Sequence, residues 1–295
     1  MNLEPGSPAA PAAGTSSAIV RMMLGAQLRQ FRESAGVSAE SAAWRIRASR
    51  SKISRLENGR TGFKVRDLTD LLDLYGVTDP QVVAGLLELV RQANRPAWWT
   101  EYGDVLPGWF ESYLSLEASA AQIRAFDLQF VNGLFQTEQY ARAVMEAGLP
   151  FASRREIDRR IRVRMKRQDL LTAESAPSVL AIVDEAALRR PVGGAEVMRG
   201  QLRRLVEVAG LPSVAVRVVP LAAGAHAGVG GSFAALSFAE AGVPDVVYVE
   251  QLTSALHLER QPAVDRYLGI LSRLSMKALS PARTVVFLGE LLGEL

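Results

Sequence analysis

The chain has 295 residues, 48% hydrophobic and 22% charged, with a net charge of +3 and no cysteine. That is long for one ordinary domain and short for three, so one small and one larger domain are expected. Disulfides, thiolate nucleophiles and Cys-type zinc sites are excluded, and with only His226 and His257 as histidines no metal or other cofactor is expected.

The opening "MNLEPGSPAAPAAGTSS" is rich in Pro, Ala, Gly and Ser and lacks both a basic and an apolar signal region. Residues 1–18 therefore read as a disordered tail, and the protein as cytoplasmic and nucleoid-associated. Charge is uneven beyond the tail: Arg21 to Arg66 holds eleven Arg/Lys against three acids, a balance of +8 in a chain of +3. A polyanion would bind there.

Within this segment "MMLGAQLRQFRESAG" spaces Leu24, Leu28, Phe31 and Ala35 as a helix face, with Gly36 as its stop. A second helix starts from Ser38 as N-cap and buries Ala42, Ala43 and Ile46, small residues suited to close helix approach. After about three residues, Ser49 caps a third helix, "SRSKISRLENGR", whose Ile53 and Leu56 face inward. "VRDLTDLLDLYGV" and "DPQVVAGLLELVRQANR", the latter with Asp79 as cap and Pro80 at the first helical position, complete a five-helix module over 19–95.

This pattern resembles the Cro/C1-type (Xre) helix-turn-helix domain over residues 24 to 78: Ser38, Ala43, Ser49, Ile53, then "LENG" at Leu56 to Gly59. The resemblance implies an ion pair between Arg32 and Glu57. It also places Arg47 where such turns carry glycine, at a cost of about 1 kcal/mol if φ is positive. In that frame Arg50, Ser51, Ser54 and Arg55 are expected to read base edges in the major groove of double-stranded DNA, the arginines at guanine. Ser38, Lys52, Asn58, Arg60 and Lys64 are expected at phosphates.

The region 96–295 is expected to be an α+β regulatory, dimerisation or partner-binding domain. Trp98, Trp99, Tyr102, Trp109, Phe110 and Tyr113 read as an aromatic core seam. "LSLEASAAQIRAFDLQFVNGLFQTEQYARAVMEAG" reads as helix, turn, helix, with Thr137 capping the second helix. "SRREIDRRIRVRMKRQDLL" (153–171) reads as a helix with an Ile157, Ile161, Met165 stripe and arginines elsewhere, either a second contact to DNA or an acidic partner, or a solvated face paired with local acids. "SVLAIVDE", "VAVRVVP", "SFAALSF" and "VVYVE" read as strands; "GGAEVMRGQLRRLVEVAG" and the segments after Pro262 and Ser280 read as helices. Uncharged Val218–Ala239 is broken by Pro220 and several glycines, so it reads as two buried strands joined by a loop, and no membrane partner is expected.

"GLFQTEQYARAV", "RMKRQDLL", "DEAALRRPVGG", "QLRRL" and "VVYVE" are similar to the C-terminal domain of an actinobacterial family of antitoxin-like helix-turn-helix regulators, except that Asn132 stands where that family usually has proline. The resemblance implies a transcriptional regulator encoded beside a small partner protein.

An enzyme is not expected. Asp184 and Glu185 are adjacent, so on a continuing strand they would point to opposite faces and make poor co-ligands with Glu250 or His226. "GAHAGVGGSF" lacks the lysine and Ser/Thr of a phosphate loop and reads as a tight strand connection, though its glycines could close a small-molecule pocket. The sequence thus points to a DNA-binding regulator acting as a homodimer on two half-sites. Two alternatives stand beside it: an antitoxin-like holder of a small partner, and a ligand-sensing repressor.

Overall fold

The structure, a computed structural model, describes residues 17–240 and 242–295; the expected tail therefore lies outside the described residues through 16. Ser17 and Ala18, which the sequence assigns to that tail, already belong to a helix. The chain divides into two units, one reaching to Thr100 with the described part of 239–243, the other formed by Glu101–Phe238 and Pro244–Leu295.

The first unit is all helical: α1 (Ser17–Ser34), α2 (Ala39–Arg45), α3 (Arg50–Glu57), α4 (Val65–Leu74) and α5 (Pro80–Ala93). Leu24, Leu28, Ile53, Leu56, Leu68, Leu72 and Leu86 are buried in one core. Each such side chain contributes about 1.5–3 kcal/mol by leaving water. Ala35, expected on the apolar face, is exposed beyond the end of α1, because the helix stops before it can turn that position inward. Ser38, Ser49 and Asp79 accept backbone N–H bonds from Ser41, Lys52 and Gln81, and Pro80 opens α5 without needing an N–H of its own. Between α2 and α3, Arg47 takes a left-handed φ of 53°.

The second unit is α+β. Its elements in order are α6 (Gly108–Glu117), β1 (Gln122–Asp127), α7 (Glu138–Gly148), α8 (Arg154–Arg167), β2 (Ser178–Asp184), α9 (Glu185–Arg189), α10 (Ala195–Ala209), β3 (Val214–Val219), β4 (Phe233–Ser237), β5 (Val246–Glu250), β6 (Ala255–Leu258), α11 (Gln261–Lys277) and α12 (Pro281–Glu294). Six strands form one sheet in the order β3-β2-β1-β4-β5-β6. β1, β2 and β3 run parallel, joined by helical crossovers, and β4 to β6 continue antiparallel.

Residues 114–148 are not simply helix, turn, helix: α7 is capped by Thr137 as expected, but "QIRAFD" is β1, a strand with sheet neighbours on both sides. Its burial alternates over only four residues before Ala125 and Phe126 are buried in succession, a period-two signal too short to mark a strand. β6 was also not anticipated.

α11 covers one sheet face through Leu271 and Leu274 against Phe126, Ile182, Phe233 and Val247. On edge strand β3, Val218 is paired on its outer side as well: its C=O accepts from Leu279 N–H and its N–H donates to the Thr284 hydroxyl. A sheet margin that would otherwise recruit another chain is thereby partly closed.

Candidate nucleic-acid interface

Helix α3 is oriented by what it buries. Ser49 fixes its start by accepting from Lys52 N–H at 3.2 Å, and Ile53 and Leu56 are 1% and 2% exposed. With that face committed to the core, Arg50, Ser51, Ser54 and Arg55 lie on the exposed face, so the structure brings together all four residues expected at bases. Asn58 ends the helix and Gly59 follows at φ +64°, where a Cβ would sit 2.6 Å from the Met22 nitrogen of α1. Only glycine allows this close crossing of "LENG" over α1.

Beneath this surface Arg32 donates from Nε to Glu57 Oε1 at 2.6 Å and from Nη2 to Oε2 at 3.0 Å, and its Nη1 donates to the Val37 carbonyl. Hydrogen bonding to Glu57 holds the Arg32 pKa above its ordinary value, against the opposing effect of burial. The pair locks α1, α3 and the turn after α1 together.

The five residues expected at phosphates do not behave alike. Arg60 and Lys64 are exposed beyond α3, Ser38 is exposed but spends its oxygen as the cap of α2, and Asn58 is half-buried at the end of α3. Lys52 is turned toward α4, where its ammonium lies 2.5 Å from Asp67 Oδ2. Asp67 sits in the first turn of α4, and a charge fifteen residues away leaves no trace in the local spacing of α3. Three further features escaped the sequence reading: Arg50 pairs with Glu40 of α2 at 3.1 Å, Arg45 bridges to Asp73 at 2.5 Å, and Trp44 stands 85% exposed on α2. Trp44 falls at the solvent-facing phase of α2, so its exposure could have been read from the burial of Ala42, Ala43 and Ile46.

In the second unit the imagined acid, base and metal residues are engaged structurally. β2 ends at Asp184 and the chain turns into α9, so the opposite-faces argument does not apply. Asp184 Oδ1 caps α9 at Ala186 N–H, and Oδ2 accepts from His226 Nε2 at 3.0 Å. His226 Nδ1 accepts from Gly228 N–H, which assigns the proton to Nε2 and leaves neither ring nitrogen for a substrate or metal. Glu185 holds Leu221 N–H and Arg189, and Glu250 accepts from Tyr248. Among the described residues no group of three or more His, Asp or Glu is placed to hold a metal.

Nor is the arginine-rich segment 153–171 one continuous basic face: α8 ends at Arg167 and a 3-10 turn follows. Arg167 points inward to Glu117, with Nε to Oε2 at 2.7 Å and Nη2 to Oε1 at 2.6 Å, and its guanidinium lies within reach of the rings of both Phe110 and Tyr113. Arg164 donates to Gln136 and is pushed down to a pKa of about 10, first by burial and then by Arg167. Arg159 and Arg160 pair with Asp104 and Glu156. Arg154, Arg155 and Arg162 remain exposed.

The same contacts explain why "GLFQTEQY", "RMKRQ" and "QLRRL" occur together. Gln168 donates to the carbonyls of Gly133 and Gln136, Gln136 donates to Val131, and wholly buried Gln201 bridges Phe135 O and Thr137 N. One irregular loop has its backbone groups satisfied by side chains from two helices.

Comparison with known proteins agrees with this division. A family model described as "Helix-turn-helix domain" matches residues 23–85, and one described as "Domain of unknown function (DUF5753)" matches residues 110–290. No curated protein and no solved structure matches the chain. A helical unit built around a capped α3 with an exposed face is therefore followed in the chain by a mixed-sheet domain whose family model covers more than half of the chain, and the chain belongs to the DUF5753 family.

Proposed function

We propose that this protein is a sequence-specific, double-stranded-DNA-binding transcriptional regulator that reads the major groove with helix 49–58. One observation carries the reading: Ile53 and Leu56 are pinned in the core while Arg50, Ser51, Ser54 and Arg55 all lie exposed on the helix that a helix-turn-helix presents to bases. Arg60 and Lys64 flank it as phosphate contacts, with Ser38 and Asn58 at the helix ends, whereas Lys52 is assigned to the Asp67 pair. The order Ser38, Ala43, Ser49, Ile53, "LENG" supports a Cro/C1-type module within 19–95.

We assign 96–295 to regulation and dimerisation, because one module touches too few bases to be selective and two half-sites about 34 Å apart need a dimer. No catalytic role is assigned to it. No helix among the described residues is long and apolar enough to cross a membrane. The DNA-binding reading itself carries the proposal that the protein acts at the nucleoid.

The test is binding of the full chain to DNA from its own upstream region and to scrambled DNA at two salt concentrations, beside Arg50→Ala and Arg55→Ala. The expected outcome is a preference for the natural site that either substitution erases while salt-sensitive background binding remains. Preference intact in both variants moves base reading away from α3.

A further inference from the structure

Arg50 opens α3 and Glu40 lies in the first turn of α2, ten residues earlier and across the turn that contains Arg47. Glu40 Oε1 stands 3.1 Å from Arg50 Nε, and the two side chains are 60% and 75% exposed. Arg50 also lines a cleft with Arg29, Arg32, Ser54, Glu57 and Asn58. The other two arginines there are committed to Glu33 and Glu57, the latter pair deeply set. Arg50 is the cleft arginine that is exposed on α3, and its partner is exposed too.

We propose that Glu40 is a positioning residue that makes Arg50 selective for bases over phosphates, an inference that rests on α3 being the base-reading helix. With the Glu40 carboxylate drawn to the Nε edge of the guanidinium, the two Nη groups are left for a bidentate contact with guanine O6 and N7. A phosphate that draws Arg50 aside must break the Glu40 pair and also approach the Glu40 carboxylate, which repels it. Glu40 therefore disfavours the wrong contact more than it strengthens the right one, which is how specificity arises from a repulsive element. An exposed pair is weak in water, so the hold is reversible and its effect modest.

Full-length wild type, Glu40→Gln, Glu40→Asp, Arg50→Ala and the Glu40→Gln/Arg50→Ala double variant are titrated with upstream DNA, scrambled DNA and a set of single base-pair substitutions. Glu40→Gln is expected to bind scrambled DNA roughly two- to fivefold more tightly, with a salt slope steeper by up to about one. Discrimination relaxes at the base pairs where Arg50→Ala relaxes it and nowhere else, and the double variant shows the preference of Arg50→Ala alone. Glu40→Asp keeps the first-turn charge of α2 but not the reach, and relaxes the same positions, which separates positioning from helix stabilisation. The proposal is overturned if Glu40→Gln retains discrimination at the Arg50 positions, or loses it equally at all positions. Absence of any wild-type preference for upstream over scrambled DNA overturns the base-reading function itself.

Discussion

Glu57→Ala is the sharpest test of how the helical unit is held. Arg32 and Glu57 are 13% and 10% exposed and joined by two charge-assisted hydrogen bonds, so neither group regains full hydration when the other is removed. Removing one partner of a fully buried pair costs about 3–5 kcal/mol, against about 0–1 kcal/mol at the surface. The remaining solvent access places this pair slightly below the buried range, at roughly 2–4 kcal/mol, a large part of what stabilises a small domain. Arg32→Met combined with Glu57→Leu removes both charges together and is expected to recover most of that loss. Urea unfolding of the full chain, followed by far-ultraviolet circular dichroism and in parallel by binding to upstream DNA, measures the effect. A loss below about 1 kcal/mol for Glu57→Ala would refute the reasoning, because the pair would then be behaving as though it were in water.

Burial, offset only in part by the Asn132 amide and the charge of Arg167, raises the Asp127 carboxyl to about 7. The native state therefore binds a proton that the unfolded chain has already released between about pH 4 and 7, and stability falls as pH rises through that window. Asp127→Asn should remove this slope and add roughly 2 kcal/mol at about pH 8, with no gain near pH 4, as read by denaturant midpoints across pH. Gly228→Ala would place a Cβ 2.3 Å from the Phe126 ring in the sheet core, so a loss of about 1–3 kcal/mol or more is expected in thermal melts, with DNA affinity unchanged while the chain is folded. Arg47→Gly relieves a left-handed backbone and is expected to raise stability by up to about 1 kcal/mol; destabilisation would show that the Arg47 side chain makes up the strain.

What the sequence disclosed follows the range over which each signal acts. Caps at Ser38, Ser49 and Asp79 act over two or three residues, and the apolar phase of Ile53 and Leu56 acts over one turn, so α1 to α5 were legible and the outward face of α3 with them. The direction of a charged side chain depends instead on partners distant in the chain. Lys52 turns in toward Asp67, and Arg167 is buried because Glu117, fifty residues away, is buried too. Seen along α8, Arg167 is indistinguishable from Arg162, yet one is in the core and the other in solvent. β1 was missed for a related reason: its neighbours are supplied by β2 and β4, far along the chain, and its own alternation lasts only four residues before Ala125 and Phe126 are both buried.

That strand also sets a timetable. β1 pairs at Gln122 with Ser178 on one side and Ser237 on the other, so the centre of the sheet closes only after more than a hundred further residues have been made. The helical unit has its whole core, from Val20 to Ala93, as soon as α5 is made, and needs no such wait. Contacts of long sequence separation fold slowly, and synthesis proceeds at about 5–20 residues per second. During translation a finished helix-turn-helix unit therefore precedes a sheet whose apolar strands still lack partners, and the seconds between them are when this chain is most exposed to aggregation.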